Sequence, residues 1–148
     1  MLPKIKVFSL GGTIAMGAMK EGRGVSLSHS AEMLIDAVPA LAEIAQIEGI
    51  SFRQMPSPDL TMNDLIALSK AISESIDGGA AGIVVTQGTD TLEESAFVID
   101  RLVEADAPVV FTGAMRNPTM PSPDGAANLY HAVITALAKE TLGIGTLV

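Results

Sequence analysis

Apolar and polar positions change period along this chain, from alternation to a spacing of three and four. In "KIKVFSL" (4–10) Ile5 and Val7 alternate with lysines ahead of Gly11-Gly12, which predicts a strand. Residues 13–29 mix glycines and charges with little periodicity and read as a long loop. Ser30 is placed to cap a helix over "AEMLIDAV" (31–38) that Pro39 stops. "IEGISFRQM" (47–55) predicts a second strand, bent at its glycine. Thr61 and Asp64 stand in capping-box register before Leu65, Leu68, Ile72 and Ile76, a helical stripe closed by Gly78-Gly79.

"AGIVVT" (81–86) and "APVVFTG" (107–113) are continuously apolar, as in strands covered on both faces. Between them Thr91 and Glu94 repeat the capping-box spacing before Phe97, Val98, Arg101 and Leu102. Asp124 is placed to cap a helix over "GAANLYHAVITALA" (125–138), and "IGTLV" (144–148) starts as a fifth strand. Strands alternating with helices through short loops predict an α/β fold. It is a parallel sheet of about five strands with helices on both faces. The length suits a single domain over residues 1–148.

In open sheets of this kind ligands bind beyond the carboxyl ends of the strands. The segments predicted there are Gly11-Gly12-Thr13, Pro56-Ser57-Pro58-Asp59, Gly88-Thr89-Asp90 and Gly113-Ala114-Met115-Arg116, and all four can face one crevice. A Gly-Gly turn before Thr13 fits two readings: a tight turn, or backbone brought close to a ligand with N–H groups for an oxyanion. It lacks dinucleotide-fingerprint spacing, and no Gly-Lys-Ser/Thr follows. Thr91 is most simply a helix N-cap, a role that requires neither Thr89 nor Asp90. An ionised Asp90 beside a threonine hydroxyl suits an ammonium group held near a reacting centre. "PSPD" also reads as a proline-rich turn. Tyr130 and His131 fall inside a helical pattern as packing residues, and His29 lies in a loop with nothing to pair it.

Composition narrows the chemistry. The net charge is −8 and the nine Lys and Arg are scattered, which argues against a nucleic-acid or anionic-membrane surface. Absence of cysteine removes thiolate catalysis and Cys-type zinc sites, and two distant histidines make a poor metal site. "VFSL" is too short for a signal-peptide core and no run approaches a membrane span, so a cytoplasmic protein is expected.

Taken together and in order, "SLGGTIA", "TQGTDTLEESAF", "PVVFTGAMR" and "SPDGAANLYHAV" resemble the bacterial-type L-asparaginases of the asparaginase/glutaminase family. The resemblance spans nearly the whole chain and implies the N-terminal catalytic-type domain over 1–148, without the family's C-terminal domain. It implies hydrolysis of the side-chain amide of asparagine, or more slowly glutamine, through a threonine nucleophile and an acyl-enzyme. It also implies no metal or organic cofactor, and a homo-oligomer, dimer or tetramer. Thr13 aligns with the first nucleophile. Thr89 aligns with the second threonine, which activates water or attacks in turn, its N–H in the oxyanion hole, and Gly88 before it falls among the substrate-binding residues. Asp90 would bind the substrate α-ammonium, Ser57 the α-carboxylate, and the Ala114 carbonyl would meet the leaving amide.

Three positions depart from the family pattern. No tyrosine occurs between Thr13 and Ala31, Pro58 stands where a substrate-binding glutamine is common, and the family's lysine beyond the fifth strand would lie past Val148. Two further readings therefore stand beside the enzyme of L-asparagine and L-aspartate. One is an impaired amino-acid-binding or interaction domain; the other is an ammonia-supplying amidotransferase subunit.

Overall fold

The computed structural model describes residues 1–18, 25–27 and 30–148. In chain order the regular elements are β1 (Lys4–Ser9), β2 (Met16–Ala18), β3 (Val25–Leu27), α1 (Ala31–Asp36), α2 (Leu41–Ile44), β4 (Gln46–Ser51), α3 (Met62–Asp77), β5 (Gly82–Thr86), α4 (Leu92–Leu102), β6 (Val109–Thr112), α5 (Gly125–Leu137) and β7 (Thr146–Leu147). Five strands form one parallel sheet in the order β4-β1-β5-β6-β7. The expected α/β architecture is thus observed. One register row crosses all five strands: Gly49, Val7, Val84, Val110 and Leu147.

Strand alternation divides the interior into two apolar layers. Ile5, Val7, Val84 and Val110 point to the face covered by α1, α2 and α5, where they meet Leu34, Leu41, Leu129 and Val133. Phe8, Ile83, Val85, Val109 and Phe111 point to the opposite face, against Leu68 and Ile72 of α3 and Ala96 and Ile99 of α4. Every residue of β5 is buried, as expected of a central strand covered on both faces.

The α3 capping box forms as its spacing predicts. The Thr61 hydroxyl accepts from the Asp64 N–H (3.3 Å) and the Asp64 carboxylate accepts from the Thr61 N–H (3.0 Å). Ser30 likewise caps α1 through the Met33 N–H.

Several expectations are corrected. Part of the loop expected over 13–29 is ordered as a 3₁₀ turn, Thr13–Ala15, and an antiparallel pairing of β2 with β3. His29 falls outside the described residues. The short helix α2 was not anticipated, because four residues carry too little periodicity. The strand expected over 47–55 leaves the ladder after Ser51, where the N–H groups of both Phe52 and Arg53 turn to the Ser9 carbonyl. Gly49 is no bend; it lets α1 lie close, since a Cβ there would stand 2.9 Å from Ile35 Cδ1. Of the expected fifth strand only Thr146–Leu147 pairs. On α4 the buried residues are Ser95, Ala96 and Ile99, whereas Phe97 and Leu102 face solvent. His131 is exposed rather than packed, while Tyr130 is half-buried on the α5 side of the core.

Candidate active site

The strand exits are held level by bonds that continue the ladder. Leu10 N–H donates to the Thr86 carbonyl (2.9 Å), Met55 N–H to Leu10 (3.2 Å) and Gln87 N–H to Thr112 (3.0 Å). The four segments leaving them therefore meet at the carboxyl end of the sheet, the place where open α/β sheets bind ligands.

Glycines set how closely they meet. Gly12 has φ +81°, and a Cβ on it would stand 2.3 Å from the Gly88 nitrogen. A Cβ on Gly88 would stand 2.8 Å from Ser57 Oγ, and one on Gly113 would stand 2.8 Å from the Gln87 carbonyl and 3.0 Å from Thr89 Cγ2. Side chains at these positions would force the loops apart. Three segments thus touch one another directly: Gly12 before Thr13, Gly88 before Thr89 and Asp90, and Ser57. Gly113 joins the fourth segment to them.

Thr13 opens its 3₁₀ turn half-buried, with the Ala15 N–H donating to the Gly12 carbonyl (3.0 Å). Thr89 is half-buried and Asp90 exposed, both in the 3₁₀ turn Thr89–Thr91. Thr89 and Ala114 share a cleft of about 290 Å³ with Gly113, Asp124, Asn128 and Val148. A separate apolar cavity of about 240 Å³, walled by Ile14, Leu34, Pro118 and Leu129, contains none of the four predicted polar residues.

Ser57 begins the 3₁₀ turn Ser57–Asp59 and is buried, so the proline-rich turn and an inward-facing hydroxyl coexist. Its Oγ, Ser9 Oγ, Thr86 Oγ1 and Gln87 Oε1 are buried without a hydrogen-bond partner among the described residues. Ser9 and Thr86 are register partners at the last position of their strands. Orphaned polar atoms are rare in protein interiors, and these gather at the carboxyl end of the sheet.

Two cap expectations are overturned. Thr91 stands at the α4 N-cap position but makes no capping bond; its hydroxyl lies 3.1 Å from the Ser57 carbonyl, a tertiary partner it meets instead of the helix. Asp124 precedes α5 without capping it. Its carboxylate accepts from Met115 N–H (3.0 Å) and Arg116 N–H (2.9 Å), which hold its pKa below the ordinary carboxylate range. Asn128 completes this clamp, donating to the Gly113 carbonyl (3.0 Å) and to Asp124 (3.2 Å). The i, i+4 spacing of Asp124 and Asn128 was the signal available for it. Fully buried Gln87, also missed, donates from Nε2 to the Thr91 carbonyl and hydroxyl (3.1 and 3.2 Å). Among the described residues no three His, Asp or Glu side chains gather as metal ligands. No described helix is long and apolar enough to cross a membrane.

The sheet and its converging loops define an α/β domain with a polar, glycine-packed site beyond the strand ends. The chain belongs to the asparaginase family: the model described as asparaginase, N-terminal, matches residues 4–148. It is 42% identical over 150 residues to L-asparaginase 2-3 of Saccharomyces cerevisiae, covering 99% of this chain and 41% of that protein. It is equally 42% identical to L-asparaginase 2 of Escherichia coli, over 99% of this chain and 42% of that protein. The fold is similar to a probable cytoplasmic L-asparaginase from Campylobacter jejuni at TM-score 0.90 and 33% identity, covering 98% of this chain and 45% of that one. The chain therefore spans about two fifths of the length of the curated relatives it matches.

Proposed function

We propose that this domain hydrolyses the side-chain amide of L-asparagine to L-aspartate and ammonia, with glutamine as a slower substrate. The observation that carries the reading is the contact of Gly12 with Gly88 and of Gly88 with Ser57. It brings the loop of Thr13, the loop of Thr89 and Asp90, and a buried serine hydroxyl without a partner among the described residues into one place. Names of the relatives support the substrate class.

In this reading Asp90 takes the α-ammonium and Ser57 the α-carboxylate, which leaves the side-chain amide beyond them for the threonines. The Thr13 hydroxyl oxygen attacks the amide carbon while the Thr89 N–H stabilises the oxyanion. The hydroxyl proton ends on the departing nitrogen, ammonia leaves, and an ester to Thr13 remains. Water, oriented by Thr89, attacks that ester and releases aspartate with the Thr13 hydroxyl restored. Gly88 admits the substrate beside Ser57, and the Ala114 carbonyl accepts from the amide N–H. A cytoplasmic location and assembly into a homo-oligomer belong to the same proposal, the first supported by the name of the Campylobacter relative.

Ammonia release from asparagine is expected to disappear in Thr13→Ala and Thr89→Val. Full activity in both variants would sink the assignment.

A second reading, an amino-acid-binding domain of low turnover, is favoured by one observation. The only tyrosine of the chain, Tyr130, lies on α5 and packs on the core instead of standing in the loop after Thr13. Calorimetric binding of aspartate with no ammonia released from asparagine selects that reading.

A further inference from the structure

One side-chain path joins the two loops that the proposed reading assigns to the ends of an amino acid. Gln87 is fully buried, and its amide faces the Thr91 carbonyl at 3.1 Å and the Thr91 hydroxyl at 3.2 Å. A carbonyl only accepts, so the NH₂ end of the amide must face it, and the Thr91 hydroxyl oxygen accepts from the same NH₂ group. The Thr91 hydroxyl lies 3.1 Å from the Ser57 carbonyl, also an acceptor, so its own proton is directed there. Each donor has one destination: Gln87 to Thr91, and Thr91 to Ser57.

This path leads from the residue after β5, through the residue next to Asp90, to Ser57 itself. Thr91 has φ −135° and ψ 29°, outside the helix, and gives its hydroxyl to the neighbouring loop instead of to α4. The Ser57 carbonyl also accepts from the Leu60 N–H at 3.1 Å, so both of its lone pairs are engaged and its orientation is fixed. An α-ammonium and an α-carboxylate sit on one carbon, so groups that read both must keep a constant separation.

We propose that Gln87 and Thr91 are positioning residues that set the spacing between Asp90 and Ser57, so that the site selects ligands carrying both an α-ammonium and an α-carboxylate. The role rests on the proposed amino-acid site; neither residue touches the reacting amide.

The test is calorimetric titration of L-aspartate and of succinate, which lacks the α-ammonium, into the full chain and its variants, with thermal unfolding measured alongside. The unsubstituted chain prefers aspartate. In Thr91→Val that preference falls about tenfold, the scale of one well-placed hydrogen bond, and in Thr91→Ser it stays within about twofold. Gln87→Glu lowers it as well, because a carboxylate cannot donate to the Thr91 carbonyl. A folded Thr91→Val with an unchanged aspartate-to-succinate ratio overturns the positioning role and leaves the amino-acid site standing. Should Thr91→Val not fold, Gln87→Glu decides: an unchanged ratio overturns the role, a lowered one upholds it. If the unsubstituted chain binds neither ligand, the amino-acid site fails and the positioning role falls with it.

Discussion

Gly12 rests on Gly88 backbone to backbone, so closely that a Cβ on Gly12 would stand 2.3 Å from the Gly88 nitrogen. The contact joins the loops that follow the neighbouring strands β1 and β5, and φ +81° at Gly12 adds a second demand for glycine. Gly12→Ala is expected to lose at least about 2 kcal/mol of stability in urea unfolding, since no flexible side chain can yield. Unchanged stability would show that the loops are not in contact.

Asp90 is exposed, next to half-buried Thr89. In the proposed reading its contact with the α-ammonium exists in ground and transition states alike. Asp90→Asn should therefore raise KM for asparagine about tenfold or more and alter kcat much less. Steady-state ammonia kinetics check this, and a fall in kcat alone would move Asp90 from binding to chemistry.

Asp64 provides a pH-dependent prop for α3. The Thr61 hydroxyl, then the Arg53 guanidinium at 2.7 Å, bring its carboxyl from 3.8 down to about 2. A depressed carboxyl contributes stability that is complete above its unfolded value and vanishes as pH falls through the folded one. Thermal midpoints should thus decline between about pH 4 and pH 2. Asp64→Asn should start lower at pH 6 and show a shallower decline in that window. Parallel curves for the two proteins would contradict the linkage.

The short strand β7 is tied to α4 by Asp100, whose carboxylate accepts from the Thr146 N–H at 2.8 Å. Asp100→Ala should release the amides of Thr146 and Leu147 to fast hydrogen exchange while β5 stays protected. Continued protection of Leu147 would mean that pairing with β6 alone holds the strand.

Ile99 is fully buried on α4, whereas Phe97, two residues earlier, is 67% exposed. Ile99→Ala should cost about 2–5 kcal/mol and Phe97→Ala less than about 0.5 kcal/mol in denaturant unfolding. The reverse order would place the wrong face of α4 on the sheet.

Much of this architecture is legible in local pattern. The apolar runs at 81–86 and 107–113 announce buried strands because central strands need apolar residues on both sides. Thr61 with Asp64 forms its capping box because all the participating groups lie within one turn. Pattern fails where a residue's partner is distant. Thr91 and Asp124 carry cap chemistry at cap positions, yet their side chains bind the Ser57 carbonyl and the 115–116 amides. No local rule chooses between a helix end and a neighbouring loop that competes for the same atom.

The alternation of the main strands and helices, the family, and the identity of the polar loops were thus set by the sequence alone, through periodicity and motifs whose elements are contiguous. Tertiary structure alone decided which of those loops touch, that Gln87 is a buried donor, and that Thr91 serves Ser57 rather than α4. These depend on distances between segments brought side by side only when parallel strands pair in register. Hydrogen-bond donors then go to whichever acceptor that register brings within reach.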